Sequence, residues 1–231
     1  MSEKPILFSA PMVRAILAGD KTQTRRQVKY QRGDDCFVLQ DYGDGWWPYS
    51  STDGETANVD GMEYPYRCPY GTVGDRPYIR ETFYAYGRWE TRFSAKKKRD
   101  EWHFVDMTLE CGHTYAYATD GAPHNFHKGN QRSDRTPSWW KRPAIHMPRA
   151  ASRIVLEISG VRVERLQDIS EADASAEGAM SWAQEQDAPI KDLNGGDDRI
   201  AFMALWESIN GAGSWAANPW VWVVEFGRIR R

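Results

Sequence analysis

Lys21-Thr22-Gln23-Thr24-Arg25-Arg26 puts a lysine, two threonines and two arginines within six residues. A hydroxyl is a weak nucleophile at neutral pH unless a base takes its proton, and a lysine that is neutral part of the time is one such base. Its pKa must then fall several units below the usual value of about 10.4. Burial or like charge from Arg25 or Arg26 pushes it down. A nearby carboxylate, or the C-terminal end of a preceding helix, pulls it up. In a regular strand Lys21 and Thr24 fall on opposite faces, because side chains alternate with a period of two. They can meet only if the chain turns just after a helix, which Gly19 permits. The same residues also read as a solvated basic loop.

The elements that must position this stretch are legible in part. Pro11 to Ala18 predicts a short helix, with Ser9 as its N-cap and Val13, Ile16 and Leu17 on one apolar face. Pro5 to Phe8 predicts a first strand, and Pro77 to Phe83 another, after the Gly74-Asp75 turn. Arg153 to Leu166 alternates, with Ile154, Leu156 and Ile158 on one face. It breaks at Gly160, then sets Val161 and Val163 against Arg162 and Glu164, a bent strand or a hairpin. Ser170, with Asp173 three residues on, begins a helix to about Trp182. An acidic, glycine-containing loop leads to a second helix over Ile200 to Ile209, with Phe202, Leu205, Trp206 and Ile209 on one side. Trp220 to Phe226 closes the chain as a buried strand. Tyr30 to Tyr70 is rich in turns such as Gly43-Asp44-Gly45 and predicts a hairpin or two. Ala85 to Trp140 shows no sustained period and reads as an irregular insertion. The sum is one α+β domain with a single core.

Composition narrows the function classes. Hydrophobic content of 41% with 13% aromatics is that of a globular chain. No apolar run reaches the length of a membrane span, and the N-terminus lacks a signal peptide's apolar region. Cys36, Cys68 and Cys111 make an odd set without framework spacing, which points to a reducing cytoplasm. A net charge of −2 excludes coating nucleic acid through bulk charge and leaves room for a local basic groove.

Two other clusters carry chemistry. From Lys128 to Arg142, Lys128, Arg132, Arg135, Lys141 and Arg142 oppose Asp134, with Trp139 and Trp140 among them. Rings interleaved with cations are what single-stranded nucleic acid needs, and equally what a mobile loop with two anchoring tryptophans contains. Cys111, His113, His124 and His127, with Cys68 upstream, could hold a structural zinc, although the spacing is not that of a common finger. The preferred reading is solvated histidines and a buried cysteine, with no cofactor. His146, in the strand-like run Ile145 to Met147, reads as a core or edge residue.

The pattern Gly19-x-Lys21-x-x-x-x-Arg26 after a helix, the Gly74-Asp75 turn before a strand, and terminal Trp222-Val223-Val224-Glu225-Phe226 resemble an ASCH domain. That resemblance implies a PUA-like fold, a small β-barrel with flanking short helices and a cleft that faces RNA or nucleotides. Residues 16–26 are similar to the signature of small bacterial amidohydrolases acting on N4-acetylcytidine. The likeness puts the catalytic lysine and threonine on Lys21 and Thr24, and the catalytic glutamate on Glu177. The resemblance covers roughly residues 6–26, 74–81, 153–178 and 220–226. The chain is longer than that family pattern, with extra segments at about 27–73 and 84–142, and its overall look is similar to phage-encoded relatives.

Three functions follow from the resemblance. The first is a metal-independent amidohydrolase removing an acyl group from N4 of cytidine or a related modified nucleoside. The second is a PUA-like module that binds RNA or nucleotide without turnover. The third is a ribonuclease. In the first, Arg26 holds a developing oxyanion or a phosphate, and Arg80 and Glu81 border the cleft as substrate-binding residues. Lys21, Thr24 and Glu177 together set the first reading apart, since a binding module has no need of that set. The expected partners are a small nucleoside and RNA or single-stranded nucleic acid, with no membrane.

Overall fold

The computed structural model describes residues 3–29, 36–41, 46–51, 68–128, 136–186 and 197–229, with the backbone alone for 36–41 and 46–51. In chain order the elements begin β1 (Pro5–Leu7), α1 (Ala10–Ala18), β2 (Gln23–Gln27), β3 (Cys36–Asp41), β4 (Trp46–Ser51), β5 (Tyr78–Arg80) and β6 (Phe83–Ser94). They continue with β7 (Arg99–Asp106), β8 (Ala116–Tyr117), β9 (Phe126–His127), β10 (Ser138–Arg142) and β11 (Leu156–Arg165). The last are α2 (Glu171–Ala176), α3 (Ala179–Gln184), α4 (Asp198–Asn210) and β12 (Trp220–Arg228). The fold is α+β. Among the described residues the strands form four separate sheets, none closed into a barrel, and no helix is long and apolar enough to cross a membrane. The chain divides into two compact units: Met1–Pro5, Arg14–Pro77 and Ile154–Arg231 form one, Ile6–Val13 and Tyr78–Arg153 the other.

The first unit is built on β12, which lies between β11 and β2 in an antiparallel sheet. Val221, Trp222, Val223 and Val224 are all buried, as a strand covered on both faces requires. β11 is one bent strand rather than a hairpin, with its register shifted between Ile158 and Gly160. A Cβ on Gly160 would lie 2.7 Å from Glu225 Oε2, so a larger residue there would have to displace that carboxylate. β3 and β4 form one antiparallel hairpin; the Gly43-Asp44-Gly45 turn lies outside the described residues, as does most of the acidic loop before α4.

The helix expected from Ser170 to Trp182 is two helices. Ser170 caps α2 by accepting from the Asp173 amide at 3.1 Å. α2 then ends at Glu177, because Gly178 turns left-handed at φ 68° before α3 begins. In α4, Phe202, Leu205 and Trp206 are buried as expected, but Ile209 is 59% exposed. It sits in the last turn, past the stretch that packs.

The second unit corrects the larger expectation. Among the described residues of 84–142 a sheet replaces the expected irregular insertion: β6 pairs with β7 over eight positions, with β10 on its other side, and β9 and β8 complete the sheet. Phe83, Ala85, Gly87 and Trp89 line the buried face of β6, while Tyr84 and Tyr86 alternate with them. Aromatic residues on both faces erase the polar–apolar alternation by which a strand is recognised. Trp140 is core, 2% exposed, its indole donating to Gly87 O at 3.1 Å. The strand expected over Pro77 to Phe83 is interrupted at Glu81 and Thr82. Residues Ala144–His146 form a 3-10 turn rather than a strand.

Candidate active site

Three backbone features fix the first residues of the site. Gly19 ends α1 at φ 96°, and the amides of Gly19, Asp20 and Lys21 all donate to Ala15 O at 3.0, 2.9 and 3.2 Å. Lys21 then forms a single antiparallel bridge with Glu177. Thr22 follows by donating to Ala176 O and accepting from the Phe226 amide, both at 2.8 Å. The chain thus ties the end of α2 to β12 before β2 begins. A Cβ on Gly178 would stand 3.0 Å from both Ala15 Cβ and Lys21 Cβ, so the turn that ends α2 also lets Lys21 approach.

Lys21 is 3% exposed, and its Nζ donates to Gln23 O, Glu177 O and Glu177 Oε2, each at 2.7 Å. Burial pushes its pKa below the ordinary lysine value, outweighing the opposing pull of the Glu177 carboxylate, and the charges of Arg26 and Arg25 add to the fall. Backbone bonds of Thr22 and Val28 run to β12, so along β2 the carbonyls of odd-numbered residues point to the edge away from β12. Nζ therefore lies at that edge, against the carbonyl of the peptide that leads into Thr24.

Cross-strand register sorts the remaining groups by face. Arg25 stands opposite Val223, which stands opposite Arg162; Gln23 stands opposite Glu225, opposite Gly160. On that face Arg25 is hydrogen-bonded to Glu164, to Asp173 at 3.1 Å, to Glu177 Oε1 at 3.3 Å and to Gln23 Oε1 at 2.5 Å. Arg162 joins Glu225, Glu164 at 3.1 Å and Asp173 at 3.0 Å. Burial raises the Asp173 carboxyl, but the Gln23 hydrogen bond and the charges of Arg25 and Arg162 together bring it below the usual range. Each carboxylate in this cluster meets an arginine, as charges removed from water require.

Thr24 and Arg26 occupy the opposite face, with Val224 and Trp222 as their cross-strand neighbours. Thr24 is buried, at 4% exposure. Arg26 is half-buried, and its charge opposes the rise that burial imposes on the Tyr70 hydroxyl. Lys21 and Glu177 are brought together across the chain. Among the described residues no hydrogen bond joins Thr24 to either of them.

Arg80 and Glu81 belong to the second unit. Arg80 lies 5.7 Å from the Tyr78 ring and donates to Tyr78 Oη at 3.3 Å. Glu81 is 2% exposed; it accepts from Arg153 Nε at 3.0 Å and from the Thr119 hydroxyl at 3.2 Å. Among the described residues no group of three or more His, Cys, Asp or Glu side chains is placed to hold a metal. His113 packs against Tyr86 at 4.5 Å, His127 against Trp140 at 4.7 Å, and Cys111 is exposed.

Gln23, Arg25, Glu164 and Asp173 join the site only through the fold. A signal existed: Arg162, Glu164 and Glu225 are charged positions on strands otherwise built to be buried, and such charges need partners. The chain matches no family model, no curated protein and no solved structure.

Proposed function

We propose that the first unit is a metal-independent amidohydrolase of ASCH-like, PUA-like type, which removes an acyl group from N4 of cytidine or a related modified nucleoside. One observation carries the reading: a buried lysine, its pKa lowered, is held by Glu177 beside the peptide leading into Thr24. In this reaction neutral Lys21 exchanges its bond to Gln23 O for the Thr24 hydroxyl and takes its proton. The hydroxyl oxygen attacks the acyl carbon, and Arg26, on Thr24's face of the strand, offsets the oxyanion's charge. The C–N bond breaks, the cytosine amine leaves with the proton from Lys21, and water then hydrolyses the threonyl ester. Glu177 orients Lys21 throughout.

Incubation of the purified protein with N4-acetylcytidine in chelator, following cytidine release, tests the reading. Lys21→Ala and Thr24→Ala should each abolish release, and the double variant should be little worse than either, because the two act as a unit. Lys21→Arg should fail as well, since arginine keeps its proton. The rate should rise with pH through a midpoint below about 10.4, as the neutral amine forms. Full turnover by Thr24→Ala removes the threonine as nucleophile. A second reading, nucleotide binding without turnover, is favoured by Nζ already having three acceptors, the full complement of an ammonium. Nucleoside binding with no product from any acylated cytosine would select it.

A further inference from the structure

Of the basic, tryptophan-bearing stretch from Lys128 to Arg142, the strand β10 (Ser138–Arg142) divides its side chains between the two faces of the second unit's sheet. Trp140 is core, and Arg142 lies over the Trp89 and Phe104 rings at 4.8 and 4.5 Å. That half is structural. On the other face Trp139 stands opposite both Tyr86 and Phe126, and Lys141 stands opposite Tyr84. Trp139, Tyr86 and His113 are half-exposed and form one ring cluster, with centroids 4.5, 5.4 and 5.7 Å apart.

Beside it a cavity of about 330 Å³ is lined by Thr82, Lys128, Lys141 and Pro143. Both lysines are exposed, and among the described residues neither has a carboxylate partner. Several other bases of this unit do meet acids: Glu90 meets Arg88 at 2.8 Å, Glu101 meets Lys97 at 2.8 Å, and Glu81 meets Arg153 at 3.0 Å. Lys128 instead lies 5.3 Å from the Phe126 ring and is exposed to solvent.

We propose that this face binds single-stranded nucleic acid, with bases stacking on the Trp139, Tyr86 and His113 rings and a backbone phosphate entering the cavity between Lys128 and Lys141. Rings offer π-faces that only unpaired bases can meet, and lysines neutralise phosphate without reading sequence. An acidic peptide would use the lysines and leave the rings idle. The inference stands apart from turnover at Lys21 and needs no acylated base.

The experiment uses the whole chain and a fluorescein-labelled, mixed-sequence oligonucleotide of about 12 residues, the scale of one single-strand site. The probe is offered as RNA, as DNA and as an RNA duplex, with anisotropy as the readout. Either single strand should bind at least ten-fold tighter than the duplex, and the RNA–DNA difference identifies the sugar preferred. Trp139→Ala should weaken binding on the order of ten-fold, the loss of one stacked base. Lys128→Gln with Lys141→Gln should flatten the log K against log salt slope by about 0.7 for each lysine. Both lysines are exposed, so this pair of changes leaves the fold intact. Equal binding of duplex and single strand overturns the proposal. So does an unchanged affinity and salt slope in the lysine variant, or an acidic peptide that competes as well as the oligonucleotide.

Discussion

Arg25 in the first unit and Lys141 in the second are both cations on strands, and they have opposite surroundings. The Arg25 side chain is fully buried and is shared among Glu164, Asp173 and Glu177. Lys141 is exposed at the rim of a cavity, with no carboxylate partner among the described residues. A charge taken out of water costs several kcal/mol unless its partners are well placed, so a buried network is rigid and saturated. It holds Lys21 and Glu177 in register, and a ligand enters it only by displacing a bond already made. An exposed lysine keeps its hydration and meets an anion at small cost. Saturated charge therefore sets geometry, whereas unsaturated charge is free to bind.

The largest effect should come from breaking the saturated side. Arg25→Met leaves Glu164, Asp173 and Glu177 short of a partner and should cost about 3–5 kcal/mol in chemical denaturation. A loss under 1 kcal/mol would show that water reaches the network and that the contrast is false. Next is Gly178→Ala, which forces a side chain into a left-handed turn and against Lys21; about 1–2 kcal/mol should be lost. Activity should fall with it, because Lys21 is displaced.

Two titrations sharpen the comparison. Asp173 has a folded-state pKa below its unfolded value, so its contribution to stability is present above the ordinary carboxyl range. That contribution should be lost as pH falls through the depressed folded value, and Asp173→Asn should remove this part of the acid dependence. Glu177→Gln removes the anion that raises Lys21, so the midpoint of the pH–rate profile should move lower. A midpoint that stays or rises would mean that Lys21 is not the titrating base. The smallest effect belongs to the unsaturated side. Lys128→Gln with Lys141→Gln should change stability by no more than about 0.5 kcal/mol.

Much of the first unit was legible in its sequence. The helix before Gly19, the bend at Gly160, the Ser170 cap and the buried closing strand all rest on local patterns. Such patterns act through neighbours in the chain: a glycine's freedom, a hydroxyl's reach to an amide, a period of two. Gly178 is visible in the sequence, yet the local pattern predicts an unbroken helix, because a single glycine in a helical run is often tolerated. The sheet of the second unit was hidden for a different reason. With aromatics on both faces of β6, hydrophobicity no longer marks which side is inside, and only pairing with β7 and β10 decides it.

Lys21 and Thr24 show where the sequence stops. Alternation in a strand says that they diverge, and Gly19 says that the chain can turn; nothing local ranks one above the other. The deciding contacts are the bridge from Lys21 to Glu177 and the bond from Nζ to Gln23 O, and the first joins residues far apart in the chain. The sequence by itself set residue types, the helix stops and the charged positions on buried strands. Tertiary structure alone decided which charges share a face, which are sealed from water and which tryptophan of the adjacent pair meets solvent. Burial and Coulomb energy depend on distance in space, and the order of residues along the chain does not contain it.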